Sequence, residues 1–323
     1  MSVRPPLTLA ALAVPALALL WGLNWPVVRV LLDRWTPWQL RLVGLGSGAV
    51  LLLALALWRG LPLRVPRSQC ARLLISALLS LVGFNLCTAF AQLHGSTARA
   101  TILTYAMPVW VVLLAWPIAR ERPDLRRSMS ALCAAAGIVL LAAPMVHAGV
   151  PLLGAGFALG AGLSWAAGTV FLKRWPIDLH PIVATGWQLL FAAGVAALGG
   201  AIAWGLADTA VGAEGLAIAT STASAALTEP VSLHAQSPTY PLWAFVAALA
   251  FHILGAMALG YWLWFDGVSR LPAGIAALST LLVPVVGVLG AMALLGERPS
   301  WTDWGGLALI SVAAGLVLRP AAR

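Results

Sequence analysis

Ten apolar runs of helical length, separated by short polar stretches, divide this chain from one end to the other. The runs occupy residues 8–32, 38–58, 71–93, 97–119, 128–146, 151–172, 181–206, 242–265, 273–295 and 302–318. About 20 apolar residues form a helix long enough to cross a bilayer core of about 30 Å. None of the runs alternates as the strands of a membrane barrel do, so helices must satisfy the backbone within lipid. The pattern predicts an all-α polytopic membrane protein with ten transmembrane helices.

The composition agrees with this prediction. Hydrophobic residues make up 61% of the chain and charged residues only 9%, whereas a soluble domain carries about 25% charged residues. The first run follows Arg4 and resembles a secretory signal, but it stays apolar through Leu32, which is too long for the apolar core of such a signal. We therefore expect this run to remain as the first span.

The basic residues predict the orientation of the chain in the membrane. With the N-terminus in the cytoplasm, 14 of the 19 Lys and Arg residues fall on the inner side, as the positive-inside rule requires. Both termini are therefore expected in the cytoplasm, in a multi-pass protein of the inner or plasma membrane. Because the net charge of +9 is spread over short loops between apolar runs, the expected environment is the lipid bilayer, and no nucleic acid is expected as a partner.

Two similar halves follow each other along the chain. Pro108 and Pro284 each lie in an apolar run, and each is followed at the same distance of 13 residues by Glu-Arg-Pro. Trp21 and Trp165 occupy matching positions earlier in the two halves, at an offset of 144 residues. Each half contains five runs, an odd number, so the second half must be inverted in the membrane relative to the first.

The repeat divides the chain into two predicted units, residues 1–149 and residues 150–323, the second with an outward loop inserted at 207–239. Inverted repeats are typical of transporters that work by alternating access and bind substrate at the repeat interface. Pro108 and Pro284 are then expected as hinge or gating positions, because proline removes a helical hydrogen bond and loosens the turn before it. A static packing kink at each proline is the alternative.

Several longer motifs resemble one known family. They are LLWGLNWPVVR (19–29), PWQLR (37–41), AMPVWVVLLAWPIARERP (106–123), its echo LVPVVGVLGAMALLGERP (282–299) and the tail WGGLALISVAAGLVL (304–318). With them the chain resembles the EamA-type branch of the drug/metabolite transporter superfamily over nearly its whole length. The resemblance implies a ten-helix bundle around a central cavity and usually export of amino acids or other small metabolites. Arg99 stands where that family usually has a small residue, and Arg41 where it usually has an arginine.

Polar and aromatic side chains within the runs are candidates for a substrate cavity, because a polar group buried in lipid is costly unless it has a partner or faces a wet cavity. Several recur at spacings of three or four and share one helix face. The candidates are Trp21, Asn24, Trp25, Asn85, Thr88, Gln92, Thr104, Tyr105, Trp165, Ser279 and Thr280. The alternatives are an interfacial belt for the tryptophans, interhelical bonds for the amides and bonds within the helix for the hydroxyls.

A few ionisable residues lie within or at the ends of the runs. His252 is the candidate for proton coupling, because an imidazole titrates near neutral pH, and a structural histidine is the alternative. Asp266 and Arg270, four residues apart, are expected to form a cytoplasmic ion pair or gate latch. Arg41, near the outer start of the second run, is expected either to bind backbone carbonyls or to hold a carboxylate or lipid headgroup.

These features predict a secondary transporter that exports a small-molecule substrate, such as an amino acid, by alternating access. A proton-coupled drug or metabolite antiporter and an uptake permease are alternatives, and a channel or a non-transporting scaffold is more remote. No enzyme is expected, because HExxH, GxSxG and phosphate-binding glycine motifs are missing from the sequence. The three isolated cysteines have no metal spacing, so neither a metal nor a cofactor is expected. The expected assembly is a monomer or a homodimer.

Overall fold

The computed structural model describes residues 7–119, 125–147, 152–212, 239–261, 263 and 273–318. At some positions inside these ranges only the backbone is described, and among them are Pro108, Ser279 and Thr280. The predicted pair Asp266 and Arg270 lies outside the described residues, as does most of the predicted outward loop.

The regular structure of the described residues is entirely helical. The helices are α1 (Leu7–Leu31), α2 (Pro37–Trp58), α3 (Arg67–Ala77), a first π-helix (Leu78–Gly83), α4 (Phe84–Leu93), α5 (Thr97–Thr104), α6 (Met107–Ala119), α7 (Leu125–His147), α8 (Leu153–Arg174), α9 (Pro181–Gly212), α10 (Leu242–Ala250), a second π-helix (Phe251–Leu259), α11 (Ala273–Leu295) and α12 (Trp301–Leu318). The helices coincide closely with the apolar runs of the sequence. One difference is that residues 207–212, predicted as the start of a loop, continue α9.

Six helical stretches within the described residues are long and apolar enough to cross a membrane. They are Ala13–Leu31, Pro37–Trp58, Arg67–Leu93, Leu153–Arg174, Pro181–Leu206 and Leu242–Leu259. Two shorter apolar helices, Ser128–Pro144 and Leu282–Leu295, accompany them. The all-helical fold with several membrane-length helices agrees with the coarse prediction, whereas ten crossings and an inverted repeat remain predictions.

Local sequence explains where several helices begin and end. At the start of α2, the Gln39 N–H donates to the Thr36 hydroxyl (3.2 Å) and the Thr36 N–H donates to the Gln39 side-chain oxygen (3.0 Å), which is a capping box. Pro37 fits the first helical position because the N–H there has no helical partner. Gly60 and Gly296, both with φ of 68°, follow α2 and α11, a left-handed conformation that glycine adopts without steric cost.

The predicted run 97–119 consists of two helices rather than one. α5 ends at Thr104, and a two-residue turn separates it from α6. Pro108 has no N–H to donate to the carbonyl oxygen of Thr104, the acceptor that a continuous helix would use. Gly162 of α8 packs against this carbonyl so closely that a Cβ at Gly162 would lie 2.7 Å from the oxygen. A proline on one helix and a glycine on its neighbour therefore define the break.

Pro284 does not divide its helix in this way. It lies inside α11, which runs without interruption from Ala273 to Leu295. The two prolines predicted as equivalent kinks are therefore unequal, the first adjoining a break and the second lying within a continuous helix. Spacing alone could not distinguish them, because proline is accommodated both at a helix start and inside a bent helix.

Two helices contain a π-helical segment. The first, Leu78–Gly83, lies between α3 and α4, and the second, Phe251–Leu259, follows α10 directly. A π-helical segment leaves some backbone carbonyls without their usual partners. In the first, the carbonyl of Leu81 accepts a hydrogen bond from the side-chain amide of Asn85 at 2.9 Å. A polar side chain of α4 thus supports the irregular backbone beside it.

The helices pack mainly in pairs that join the early and late parts of the chain. α1 lies along α11, α2 along α9 and α7 along α12, while α8 packs against α4 and α6. Small residues allow the close approach: a Cβ at Gly22 of α1 would lie 2.5 Å from the Cβ of Val286 in α11. These pairs surround a central cavity that draws residues from both parts of the chain.

Candidate substrate cavity

The central cavity has a volume of about 360 Å³, within the range of about 300–1,000 Å³ common for small-molecule sites. Its wall comes from α1, α2, α4, α6, α8, the second π-helix, α11, α12 and the segments that connect them. The lining residues are Trp21, Asn24, Trp25, Val28, Arg41, Phe84, Asn85, Thr88, Gln92, Tyr105, Met107, Val111, Trp165, Thr169, Met257, Tyr261, Pro284, Ile310, Ser311 and Ala314. Eight of the eleven residues predicted from sequence to line a cavity are in this set.

Aromatic side chains form most of the apolar wall. Trp21 and Tyr261 meet edge to face with ring centroids 5.8 Å apart, and Trp25 lies 6.3 Å from the ring of Tyr105. On another side, Phe84 and Trp165 are 5.0 Å apart. Rings held against each other in this way lose little freedom when a ligand enters, so they present a rigid apolar surface.

Asn85, Thr88 and Gln92 are buried on one face of α4. The Thr88 hydroxyl donates to the backbone carbonyl of Asn85 (2.9 Å), and the Thr97 hydroxyl lies 3.5 Å from the side-chain oxygen of Gln92. The sequence left open whether this stripe binds helices together or lines a path. The geometry combines both, because these three side chains line the cavity and also make contacts within the protein.

Arg41 joins the cavity from α2. Its side chain is 3% exposed, its Nε donates to the carbonyl oxygen of Asn85 at 2.8 Å, and its Nη2 donates to the Thr88 hydroxyl at 3.0 Å. Both acceptors are neutral, and no carboxylate among the described residues lies within ion-pair distance of Arg41. Within the described residues Arg41 thus binds a backbone carbonyl, which is one of the two arrangements expected from the sequence, and it takes part in no ion pair or ion-pair gate there.

His252 lies behind the cavity wall and does not itself line it. The ring is 1% exposed, and its Nδ1 is 2.7 Å from the side-chain oxygen of Asn24, which does line the cavity. Because an amide oxygen only accepts, Nδ1 carries the proton in this contact. Nε2 faces Gly44 of α2, where a Cβ would collide with the ring. The imidazole thus orients Asn24, and its role in proton coupling remains a prediction.

The structure describes the side chains of two of the remaining predicted residues, Thr104 and Pro284, and not those of the others. Thr104 is fully buried and is not in the lining, and its hydroxyl has no hydrogen-bond partner among the described residues. Pro284 lines the cavity. The side chains of Pro108, Ser279 and Thr280 and the pair Asp266 and Arg270 lie outside the description, so nothing tests their predicted roles.

A group of polar contacts ties α5 to the segment between α11 and α12 and to the first turn of α12. The Glu297 carboxylate accepts hydrogen bonds from the backbone N–H groups of Thr97 (2.8 Å) and Ala98 (2.9 Å). Arg99 donates to Asp303 through Nε at 2.9 Å and Nη2 at 3.3 Å. We call Arg99, Glu297 and Asp303 the end cluster. An acidic side chain at the first turn of a helix is favourable because it neutralises unpaired N–H groups.

Two members of the end cluster are notable in the sequence for reasons unrelated to their pairing. Arg99 occupies a position where the family that the sequence resembles usually has a small residue. Glu297 marks the end of an apolar run. About 200 residues separate each donor from its acceptor, so no local spacing indicates the pairing. The opposite charges of Arg99 and Asp303, both near the start of a helix, are the one signal in the sequence that favours the pairing.

Comparison with known proteins gives the class of this chain. The model of the EamA-like transporter family matches residues 8–143 and 193–319, so the chain belongs to that family of membrane transporters. A similar Bacillus subtilis (strain 168) protein, described as the uncharacterized transporter YvbV, is 25% identical over 97% of this chain and 92% of its own length. Another from the same organism, the uncharacterized transporter YoaV, is 22% identical over 56% of this chain and 63% of its own length.

The fold also resembles that of a crystal structure. It covers 95% of this chain and 96% of the other chain, with a TM-score of 0.58 and 20% sequence identity. At 20% identity this similarity shows only that the two proteins share a helical fold.

Proposed function

We propose that this protein is a secondary transporter that exports small metabolites, such as amino acids, by alternating access through the central cavity. The observation that carries the proposal is the composition of the cavity wall, which takes Trp21, Asn24 and Arg41 from the early part of the chain and Trp165, Met257 and Tyr261 from the late part. A site shared in this way changes its exposure when the two parts move relative to each other.

Several observations support two inverted halves, residues 1–149 and residues 150–323. The family model matches the chain twice. The two π-helical segments, Leu78–Gly83 and Phe251–Leu259, end 176 residues apart, the same offset that relates Pro108 to Pro284.

A size exchange at the contact between halves supports the repeat further. The side-chain amide of Gln188 donates to the Ser76 hydroxyl at 2.6 Å, while His252 packs on Gly44. Gln188 corresponds to Gly44 at the offset of 144, and His252 to Ser76 at the offset of 176. In each contact a small residue of the first half meets a large residue of the second half, so equivalent positions carry a small residue in one contact and a large one in the other.

The proposed orientation has both termini in the cytoplasm of the inner or plasma membrane, as the basic loops favour. The end cluster would then lie at the outer end of the bundle. Release of substrate to the outside would require Glu297 to leave the start of α5 and Arg99 to separate from Asp303.

The proposal is tested by metabolite profiling of cells and medium. Cells would express the native protein, Trp21→Ala or Trp58→Ala at equal membrane levels; Trp58, which is 82% exposed at the end of α2, is the matched control. We expect specific small metabolites to accumulate in the medium with the native protein and with Trp58→Ala, and to fall several-fold with Trp21→Ala. Identical profiles for native protein and empty vector would contradict a transport function. Accumulation of the metabolites inside the cells would indicate uptake rather than export.

Proton-coupled antiport is the second candidate, and the contact between His252 and Asn24 is what favours it. Flux into proteoliposomes containing native protein, measured with and without an imposed pH gradient, distinguishes the two. A flux that follows the gradient, and loses this dependence in His252→Gln, supports proton coupling. A flux that is indifferent to the gradient leaves His252 as a residue that positions Asn24.

A further inference from the structure

We infer that the cavity selects organic anions: a substrate carboxylate would bind the Arg41 guanidinium while its apolar or aromatic body lies against the tryptophan and tyrosine wall. The inference rests on the proposed function and narrows it. It would make a monocarboxylate a better substrate than the corresponding zwitterionic amino acid.

The charge of the cavity favours an anionic ligand. Among its described lining residues, Arg41 is the only one with a formal charge, and no Asp or Glu is present. A guanidinium stays protonated at physiological pH, and burying it without a counter-ion is costly. The empty cavity therefore contains a positive charge that a negatively charged ligand would neutralise.

Arg41 also keeps hydrogen-bond donors that a ligand can use. A guanidinium has five N–H groups in a planar fork. The contacts to Asn85 and Thr88 occupy Nε and Nη2, and they hold the side chain in place from α4. The three N–H groups that remain, two on Nη1 and one on Nη2, can bind both oxygens of a carboxylate. Because the side chain is already held in position, it loses little freedom on binding.

Asn24 adds to the same preference. Its side-chain oxygen already accepts a hydrogen bond from His252, and its NH₂ group can donate two hydrogen bonds. Arg41 and Asn24 therefore both offer N–H groups to the cavity, and an anionic oxygen is the partner that accepts from both. At Arg41 an ammonium group would meet only donors, because a guanidinium has no acceptor.

The aromatic wall by itself would also suit a cation, because the faces of Trp and Tyr attract positive charge. The positive charge of Arg41 decides whether the cavity favours a cation or an anion. The attraction of an aromatic face for a cation is modest, whereas a cation bound in this cavity would lie near the positive charge of Arg41 and be repelled by it. The wall therefore serves the apolar body of the ligand.

Three probes that share a phenyl ring test this inference on the purified native protein. They are 3-phenylpropionate, an anion; phenylalanine, the zwitterion that adds only an ammonium group; and phenethylamine, which lacks the carboxylate of phenylalanine. Binding would be measured by titration calorimetry. We expect 3-phenylpropionate to bind about tenfold or more tightly than phenylalanine, because both carry the carboxylate but only phenylalanine brings an ammonium group near the Arg41 guanidinium. Phenethylamine, which has the ammonium group without the carboxylate, should bind weakest.

Variants identify the residue responsible. Arg41→Gln should abolish the preference for 3-phenylpropionate over phenylalanine, and Arg41→Lys should keep its direction with a smaller ratio. Arg72→Gln is the matched control, because Arg72 lies outside the cavity and donates to the carbonyl of Pro176 in an exposed contact. It should bind all three probes as the native protein does.

The outcomes separate this inference from the proposed function. Phenylalanine binding as tightly as 3-phenylpropionate would overturn anion selection while leaving a transporter in place. Absence of 3-phenylpropionate binding at millimolar concentration would overturn it as well, whether or not the variants fold. Failure of the proposed function would show separately, as unchanged metabolites in cells that express the native protein.

Discussion

Arg41 and Arg99 carry the same charge but have different partners. Arg41 is buried and donates to neutral oxygens of α4. Arg99 is partly exposed and paired with the carboxylate of Asp303. The charge of Arg99 is therefore compensated within the protein, whereas that of Arg41 is available to a ligand. The two residues look alike in the sequence, and their surroundings give them separate roles.

At the residue scale, Gly44→Ala should destabilise the protein. A Cβ at Gly44 would overlap the imidazole of His252, which is enclosed and cannot swing into solvent. Overpacking of this kind costs about 1–3 kcal/mol. The midpoint of thermal unfolding of the purified protein in detergent should fall accordingly.

The control for Gly44→Ala lies two residues further along α2. A Cβ at Gly46 would meet only the Cβ of Ala193, at an ordinary contact distance of 3.7 Å. Gly46→Ala should therefore leave the unfolding midpoint unchanged or raise it, because alanine favours the helix over glycine. Equal midpoints for the two variants would mean that the contact with His252 is not tight.

At the scale of elements, irregular backbone lies beside the cavity. The first π-helix directly precedes the polar face of α4, and the turn between α5 and α6 carries Tyr105 into the cavity wall. Such interruptions are tolerated within a membrane protein where the backbone is surrounded by protein or lines a cavity. They are also the points at which a helix bends with least cost.

Pro108→Ala tests the break between α5 and α6. Alanine restores an N–H that can donate to the carbonyl of Thr104, so the two helices should join into one. We expect transport in proteoliposomes to slow several-fold while the unfolding midpoint stays at or above that of the native protein. Pro284→Ala, in a helix that is already continuous, should have the smaller effect. Unchanged flux in both variants would remove the hinge role.

At the scale of the whole molecule, the early and late parts of the chain interlock rather than sit side by side. α1 packs along α11 and α2 along α9, so neither part could keep its contacts if it were separated from the other. The end cluster adds polar contacts across the same division. Movement between the parts must therefore exchange one set of contacts for another.

A charge exchange tests the long-range pair of the end cluster. Arg99→Asp and Asp303→Arg should each lower the unfolding midpoint, because each places like charges opposite each other. The double variant should recover part of the loss, with a coupling of about 1 kcal/mol. Full recovery is not expected, since Asp303 also accepts a hydrogen bond from the Ser300 N–H at 2.8 Å. A coupling near zero would mean that the ion pair contributes nothing.

The sequence by itself determined the helical elements and most of the candidate cavity residues. Length and apolarity are local properties, so most of the runs coincide with helices, and residues such as Thr36 and Gly296 mark where helices begin and end. Trp21, Asn24, Asn85 and Gln92 could be predicted as cavity residues because a polar or aromatic group within an apolar run has few acceptable surroundings in a membrane.

Only the tertiary structure decided how these residues combine. The pairing of Glu297 with the start of α5, the contact of His252 with Asn24, and the burial of Arg41 among neutral acceptors each join positions 44 or more residues apart. Packing between distant helices also gave Pro108 and Pro284 different surroundings, a helix break at the first and a continuous helix at the second, although both precede Glu-Arg-Pro at the same spacing. The physical reason is that local spacing specifies which side of a helix a residue occupies, while its partner depends on which helix comes to lie against that side.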